Sequence, residues 1–398
     1  MTEVKKVKIS NSIYPYFSGF SSDLLFWIAI NTIFLTTVKG FSASQISSLT
    51  TIGTFASIVS YSVIFKIIKK IGNIKSVRVG TIMLLIAAIL LTISNSYIFI
   101  LLGYVLYDLA FLFKNMDNVI LRKNLKYLDR VDDYITIQNY STLIYSFLTM
   151  VIAFISGFLF NINNYIPMIL CIVFCVINVV MAQFLYEHND DEKIAKRKRK
   201  KSLSKTIFLI LIAYSLIYAT INLGQNNTTL FIQYELSSFL EIDNVAIILS
   251  FIIAISRIVR VISDYLFTRF YNSRNKSILT FIGISLIISY LFIIIGGILN
   301  INVLNIIFIT IGFLVFLAVR DPFDNYIKTV LLNSSDESFH EQVITYLTVS
   351  NMLGQFLIST FITLLLLKIN MIWIMVVLLL ITIFNLILIN KINKLVTK

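Results

Sequence analysis

Glu187-His188-Asn189-Asp190-Asp191-Glu192-Lys193, followed almost at once by Lys196-Arg197-Lys198-Arg199-Lys200-Lys201, is the longest polar stretch in a 398-residue chain otherwise built of apolar runs. The apolar sequence on each side of it is long enough for six membrane crossings. At about twenty apolar residues per crossing, the spans fall near 14–37, 45–68, 78–96, 98–115, 138–160 and 166–187, then 205–232, 244–267, 278–298, 302–320, 344–367 and 371–391. Of the thirty-three Lys and Arg residues, only Lys39 and Lys368 follow odd-numbered spans. Basic residues accumulate in cytoplasmic loops, so the polar stretch and both chain ends are expected in the cytoplasm. The organisation expected is an N-terminal bundle (1–187), a basic linker (188–204) and a C-terminal bundle (205–398).

Composition agrees. Hydrophobic residues make up 58% of the chain and charged residues 13%, with a mean hydropathy of +0.88, more apolar area than a soluble fold can cover. The net charge of +13 is divided among short loops and forms no recognition stripe, so no nucleic-acid partner is expected. Anionic membrane lipid is the expected counter-charge. Lys5, Lys6 and Lys8 resemble a signal n-region, but the stretch that follows is long, contains Asp23 and lacks a small-residue cleavage site, so it is retained as span 1. Cys171 and Cys175 stand one turn apart in span 6, read as small apolar core residues and not as a disulfide framework. His188 and His340 have no ligand companions at metal spacing. With no phosphate-cradling loop and no Ser/His/Asp arrangement, neither a cofactor nor an enzyme is expected. Ser42-Ala43-Ser44-Gln45 has capping-box spacing before span 2, and Asp243 is placed to cap span 8. With only Pro15, Pro167 and Pro322 present, most spans are expected to be unbroken helices.

The ends of spans 4 and 10 repeat. Lys114-Asn115-Met116-Asp117-Asn118-Val119-Ile120 matches Arg320-Asp321-Pro322-Phe323-Asp324-Asn325-Tyr326-Ile327 with one extra residue in the second copy. Twelve spans, a central basic loop, cytoplasmic ends and two matching halves resemble the major facilitator superfamily of secondary transporters over essentially the whole chain. The family's loop 2–3 motif, G-x-x-x-D-R-x-G-R-K, is degraded here to Lys69-Lys70-Ile71-Gly72-Asn73-Ile74-Lys75, with Lys69 in place of the acidic residue. The Gly-Pro motif of many drug antiporters is absent from span 5, where Ser156-Gly157 comes nearest. The resemblance implies an all-α membrane fold of two pseudo-symmetric six-helix bundles. It also implies that Lys114, Asp117, Arg320 and Asp324 lock the cytoplasmic side as a gate; static pairing within each half is the alternative.

Depth, counted from flanking polar residues at about 1.5 Å per residue, puts Asp23, Asp108 and Arg257 near the bilayer centre, where a charge must be paired or hydrated. Asp23 and Asp108 are candidates for proton or ion coupling; the alternative is structural acids, Asp23 held by Ser18, Ser22 or Arg257 and Asp108 by Tyr104 or Tyr107. Arg257 requires an acidic partner or an anionic cargo group. Trp27 and Asn31 share the face of Asp23, while Tyr214, Tyr218, Asn222 and Gln225 form a stripe on span 7, and Thr348, Asn351, Gln355 and Ser359 form one on span 11. Trp27, Asn31, Tyr104, Tyr214, Tyr218, Asn222, Gln225, Arg257, Asn351 and Gln355 are accordingly candidate cavity residues, with helix packing as the alternative for the stripes. Arg260 and Asp264 are spaced as a local helix pair.

These readings predict a plasma-membrane secondary transporter with small-molecule cargo, proton coupling and alternating access. The rival is a non-transporting protein of the same fold acting as a receptor, immunity factor or lipid-handling scaffold. Two acids against one arginine favour neutral or cationic cargo. Oligomeric state has no signature in the sequence.

Overall fold

The computed structural model describes residues 2–188, 205–271, 278–299, 301–333 and 340–396, and all regular secondary structure among them is helical. The linker expected at 188–204 therefore lies, apart from His188, outside the described residues. The first half contains α1 (Glu3–Phe20), α2 (Trp27–Ile33) extended by a π turn (Phe34–Val38), α3 (Ala43–Ile71), α4 (Asn73–Ile93), α5 (Tyr97–Lys114), α6 (Asp117–Tyr127), α7 (Asp133–Ile162) and α8 (Ile166–Gln183). The second half contains α9 (Lys205–Ser237), α10 (Ile242–Tyr271), α11 (Ile278–Ile298), α12 (Asn302–Asn333), α13 (His340–Leu365) and α14 (Met371–Val396). Ten helices are long and apolar enough to cross a membrane, and Trp27–Val38 and Met371–Ile387 are shorter apolar helices. Large apolar side chains such as Val59, Phe147, Val180, Phe281, Leu357 and Phe384 are exposed, as a surface facing lipid requires.

Two compact units emerge. The first comprises residues 1–31 and 52–200, the second 32–51 and 201–398. In the first, α4 packs on α5 and α8, and α1 packs on α7. In the second, α11 packs on α12 and α14, and α9 packs on α13. The same pairing order thus recurs: third span on fourth and sixth, first on fifth. Within the second unit, residues 32–51 are held by hydrogen bonds. Gln233 donates to Thr36, and the Ser47 and Thr51 hydroxyls lie 2.8 and 3.2 Å from that of Thr363.

Local signals account for several edges. The capping box forms, with Ser42 N–H donating to Gln45 Oε1 at 2.9 Å and Gln45 N–H to Ser42 Oγ at 3.3 Å. At the root of the linker, Glu187 accepts from Asn73 and Lys123, both at 2.6 Å, and His188 stacks on Tyr127 while its Nδ1 lies 2.9 Å from Glu3. Hydrogen bonds from His188 and Tyr186 hold the exposed Glu3 carboxyl below the usual carboxylate range.

Span 1 departs from expectation. Instead of one helix over 14–37, α1 stops at Phe20 and α2 starts at Trp27, with Phe26 in the left-handed region at φ 66°. No proline causes this, since Pro15 lies inside α1. Ser21 and Ser22 turn their hydroxyls back onto the carbonyls of Phe17 and Ser18, each at 2.6 Å, and Leu24 N–H donates to the Asp23 carboxylate at 2.8 Å. Short polar side chains here offer the backbone alternatives to the helical ladder. Arg260 interacts with the charge of Asp264, as its spacing on α10 suggests, and gains a second partner: its ion pair runs across to Asp321 of α12 at 2.6 Å, where α10 packs on α12.

With little hydrophobic drive between helices in lipid, close approach depends on small residues. Gly80 of α4 faces the backbone of α5, and a Cβ there would lie 2.7 Å from Lys114 N and 2.8 Å from Ala110 O. Gly80→Val should therefore separate α4 from α5 and cost about 1–3 kcal/mol, read as a lowered midpoint of thermal unfolding in detergent. An unchanged midpoint would refute this packing.

Candidate functional site

In the first unit the break in span 1 brings polar groups together. Asp23, carried by the non-helical segment, accepts a hydrogen bond from Tyr107 of α5 on the same oxygen that takes the Leu24 N–H. Asp108 lies one residue further along α5, close enough to Asp23 for their charges to interact, and its carboxylate abuts Gly53 of α3, where no side chain intervenes. Trp27 meets Tyr104 edge-on at 5.9 Å between ring centroids, and Tyr104 meets Tyr107 at 6.5 Å. Asp23, Trp27, Tyr104 and Asp108 are thus gathered in one unit, and Asn31 follows on α2. The Tyr107 hydroxyl goes to Asp23, and the Ser18 and Ser22 hydroxyls make other contacts.

The far side of the break is lined by α8. Asn178 Nδ2 donates to the Phe20 carbonyl at 3.1 Å, the Trp27 N–H donates to the Cys171 sulfur, and Cys171 is hydrogen-bonded to the free thiol of Cys175. Phe174 contacts Phe20 and Phe26 with centroids 5.7 and 5.9 Å apart. Residues 171, 174, 175 and 178 make a single stripe at steps of three and four. Asn178 was not among the residues singled out from sequence; an amide inside the apolar run of span 6 was the available signal.

In the second unit, Tyr214 is fully buried. It donates to Asp324, is hydrogen-bonded to Asn351, stacks on Phe323 at 5.3 Å and lies 5.8 Å from Tyr218. Arg320 donates to Gln225 at 3.0 Å. The stripe on α9 therefore touches α12 and α13, which places Tyr214, Tyr218, Gln225, Arg320, Asp324 and Asn351 in one polar seam. Arg257 is buried on α10, 7% exposed, and Asn222 and Gln355 are half-buried on α9 and α13. Of the four charges at the repeated helix ends, Lys114 and Asp117 form a buried pair at 3.1 Å, side chains 5% and 0% exposed, with the ammonium 5.9 Å above the Phe17 ring.

Long apolar helices, one span broken at Asp23, are the architecture of an integral-membrane protein. The chain belongs to the Major Facilitator Superfamily, whose profile matches residues 16–331. Among solved structures, the nucleoside transporter NupG aligns at 14% identity with a TM-score of 0.68, covering 100% of each chain. A bacterial homologue of the iron transporter ferroportin, in an inward-facing state, aligns at 11% identity and a TM-score of 0.70, covering 99% of this chain and 100% of the other. A bacterial homologue of the human lysosomal transporter Spinster, inward-facing and unoccupied, aligns at 11% and 0.67, covering 99% and 98%. These likenesses establish the fold. A comparison with curated proteins gives no match. The protein is thus a multi-pass membrane transporter of a small molecule, in a family of carriers and not of enzymes.

Removing one member of a buried ion pair strands the other charge. Lys114→Met should cost about 3–5 kcal/mol in thermal or denaturant unfolding, and adding Asp117→Leu should recover most of that loss. Equal stability for Lys114→Met and the parent would refute the pair's structural role.

Proposed function

We propose that the protein is a proton-coupled secondary carrier of the plasma membrane, with cytoplasmic termini and the halves 1–187 and 205–398 rocking by alternating access. The observation that carries this reading is Asp23: an ionisable group within a broken span, hydrogen-bonded to Tyr107 and neighboured by a second acid, Asp108. Ionisable groups at such depth are costly and mark ion pathways. In the ionised form Asp23 accepts from both Tyr107 and Leu24, so the break is held together. Protonation removes the charge that draws those donors and loosens the break. Each protonation state then favours a different conformation, and the proton gradient biases the cycle.

The remaining groups have parts in the same cycle. Trp27, Asn31 and Tyr104 of the first half, with Tyr218, Asn222, Gln225, Arg257, Asn351 and Gln355 of the second, contact the cargo. Tyr214 shapes this surface through Asp324 and Asn351. Lys114, Asp117, Arg320 and Asp324 act at the cytoplasmic gate. Thr36–Gln233 and Ser47–Thr363 are the bonds to be exchanged when the opposite end opens. Two acids and several aromatic rings against one arginine suit a neutral or cationic amphipathic cargo, which cation–π contact would help to hold.

Thermal stabilisation of the purified protein across nucleosides, amines and amphipathic cations identifies cargo, and flux follows in proteoliposomes under an imposed pH gradient. Asp23→Asn should abolish gradient-driven accumulation while retaining cargo-induced stabilisation. Undiminished accumulation in Asp23→Asn would remove this residue from coupling.

A further inference from the structure

The backbone between α1 and α2 leaves the helical ladder at residues 21–26, inside a span that must cross hydrocarbon. Carbonyl oxygens freed in this way need partners from protein, water or an ion. Asn178 supplies one: its Nδ2 donates to Phe20 O at 3.1 Å, which fixes the orientation of the amide. The other end of that amide, Oδ1, is then an acceptor with no hydrogen-bond partner on a side chain only 4% exposed. A buried acceptor is thus anchored beside a carbonyl at the C-terminal end of an 18-residue helix, where the helix dipole is negative, and the Asp23 carboxylate lies three residues on in the same segment.

We propose that the break in span 1 is a sodium site, with the ion held by the Asp23 carboxylate, Asn178 Oδ1 and carbonyl oxygens of the unwound segment. Carboxylate, amide and carbonyl oxygens are the donor set of a hard cation. The sulfur atoms lining α8 are otherwise engaged, Cys171 with the Trp27 N–H and with Cys175, so no thiolate is offered to a softer metal. Titratable groups that face Asp23 include Tyr104, Tyr107 and Asp108 from α5 and Cys171 from α8. This inference rests on reading Asp23 as the coupling carboxylate, and makes sodium the ion that replaces the proton there.

The test is thermal unfolding of the full-length purified protein in sodium chloride against choline chloride at matched ionic strength. Sodium should raise the midpoint saturably and choline should not. Because sodium and the proton compete for Asp23, the half-saturating sodium concentration should rise about tenfold per pH unit once the carboxylate begins to protonate. N178L should lose the sodium response, whereas N178D, which keeps an oxygen, should retain it. Equal responses in choline, a full sodium response in N178L, a response confined to calcium, or sodium binding indifferent to pH would each overturn the site. If N178L fails to fold, the competition in the parent protein decides. Proton-driven flux without any sodium response sinks this site alone, whereas a sodium response in a protein that moves no cargo sinks the carrier reading and leaves the site standing.

Discussion

Hydrocarbon offers no water to hydrogen-bond a peptide group or solvate a charge, so every polar atom at that depth must be satisfied by the protein, by trapped solvent or by a ligand. The segment between Phe20 and Trp27 is where this constraint acts most strongly. It leaves the helical ladder, carries Asp23 and adopts a left-handed turn at Phe26. Its surroundings answer group by group: Ser21 and Ser22 locally, Tyr107 from α5, and Cys171 and Asn178 from α8. A break so thoroughly braced is a built feature. Small-residue contacts such as Gly80 against α5 and Gly53 against Asp108 bring the neighbouring helices near enough to reach it.

The second unit meets the same constraint without a break. There α9 runs unbroken from Lys205 to Ser237, and its polar stripe is satisfied laterally, Tyr214 by Asp324 and Asn351 and Gln225 by Arg320. The helix pairings of the two units correspond, yet the first sets Asp23 on broken backbone beside Asp108 of α5, and the second a seam of tyrosine, amide, arginine and Asp324 on unbroken helices. That asymmetry suits a division of labour in which one half handles the ion and the other selects cargo.

Fold class and family are legible in the sequence because they follow from sums over many residues: apolar length, and the repeat of two halves about a central basic stretch. The capping box at Ser42 is equally legible, since its two partners are three residues apart. Asp23 and Asp108 stand out singly, as charges at forbidden depth. The break does not, because prolines are the usual signal and none lies there; its causes are serine hydroxyls and an asparagine some 150 residues away, a tertiary fact. The ion pair from Arg260 to Asp321 is hidden for the same reason, since sequence spacing shows only Asp264 while packing of α10 on α12 delivers Asp321 as well. The helix α6 within the loop after span 4, amphipathic and short, also escapes a ruler calibrated on membrane-length apolar runs.

In the proposed cycle the charge state of Asp23 sets which end of the carrier is open. Spin-label distances measured across the two halves at both ends of the reconstituted protein, as a function of pH, test it most directly. One distance should lengthen as the other shortens when pH falls through the titration of Asp23, and Asp23→Asn should remain in one state at every pH. Distances that ignore pH, or that shift identically in Asp23→Asn, would contradict it.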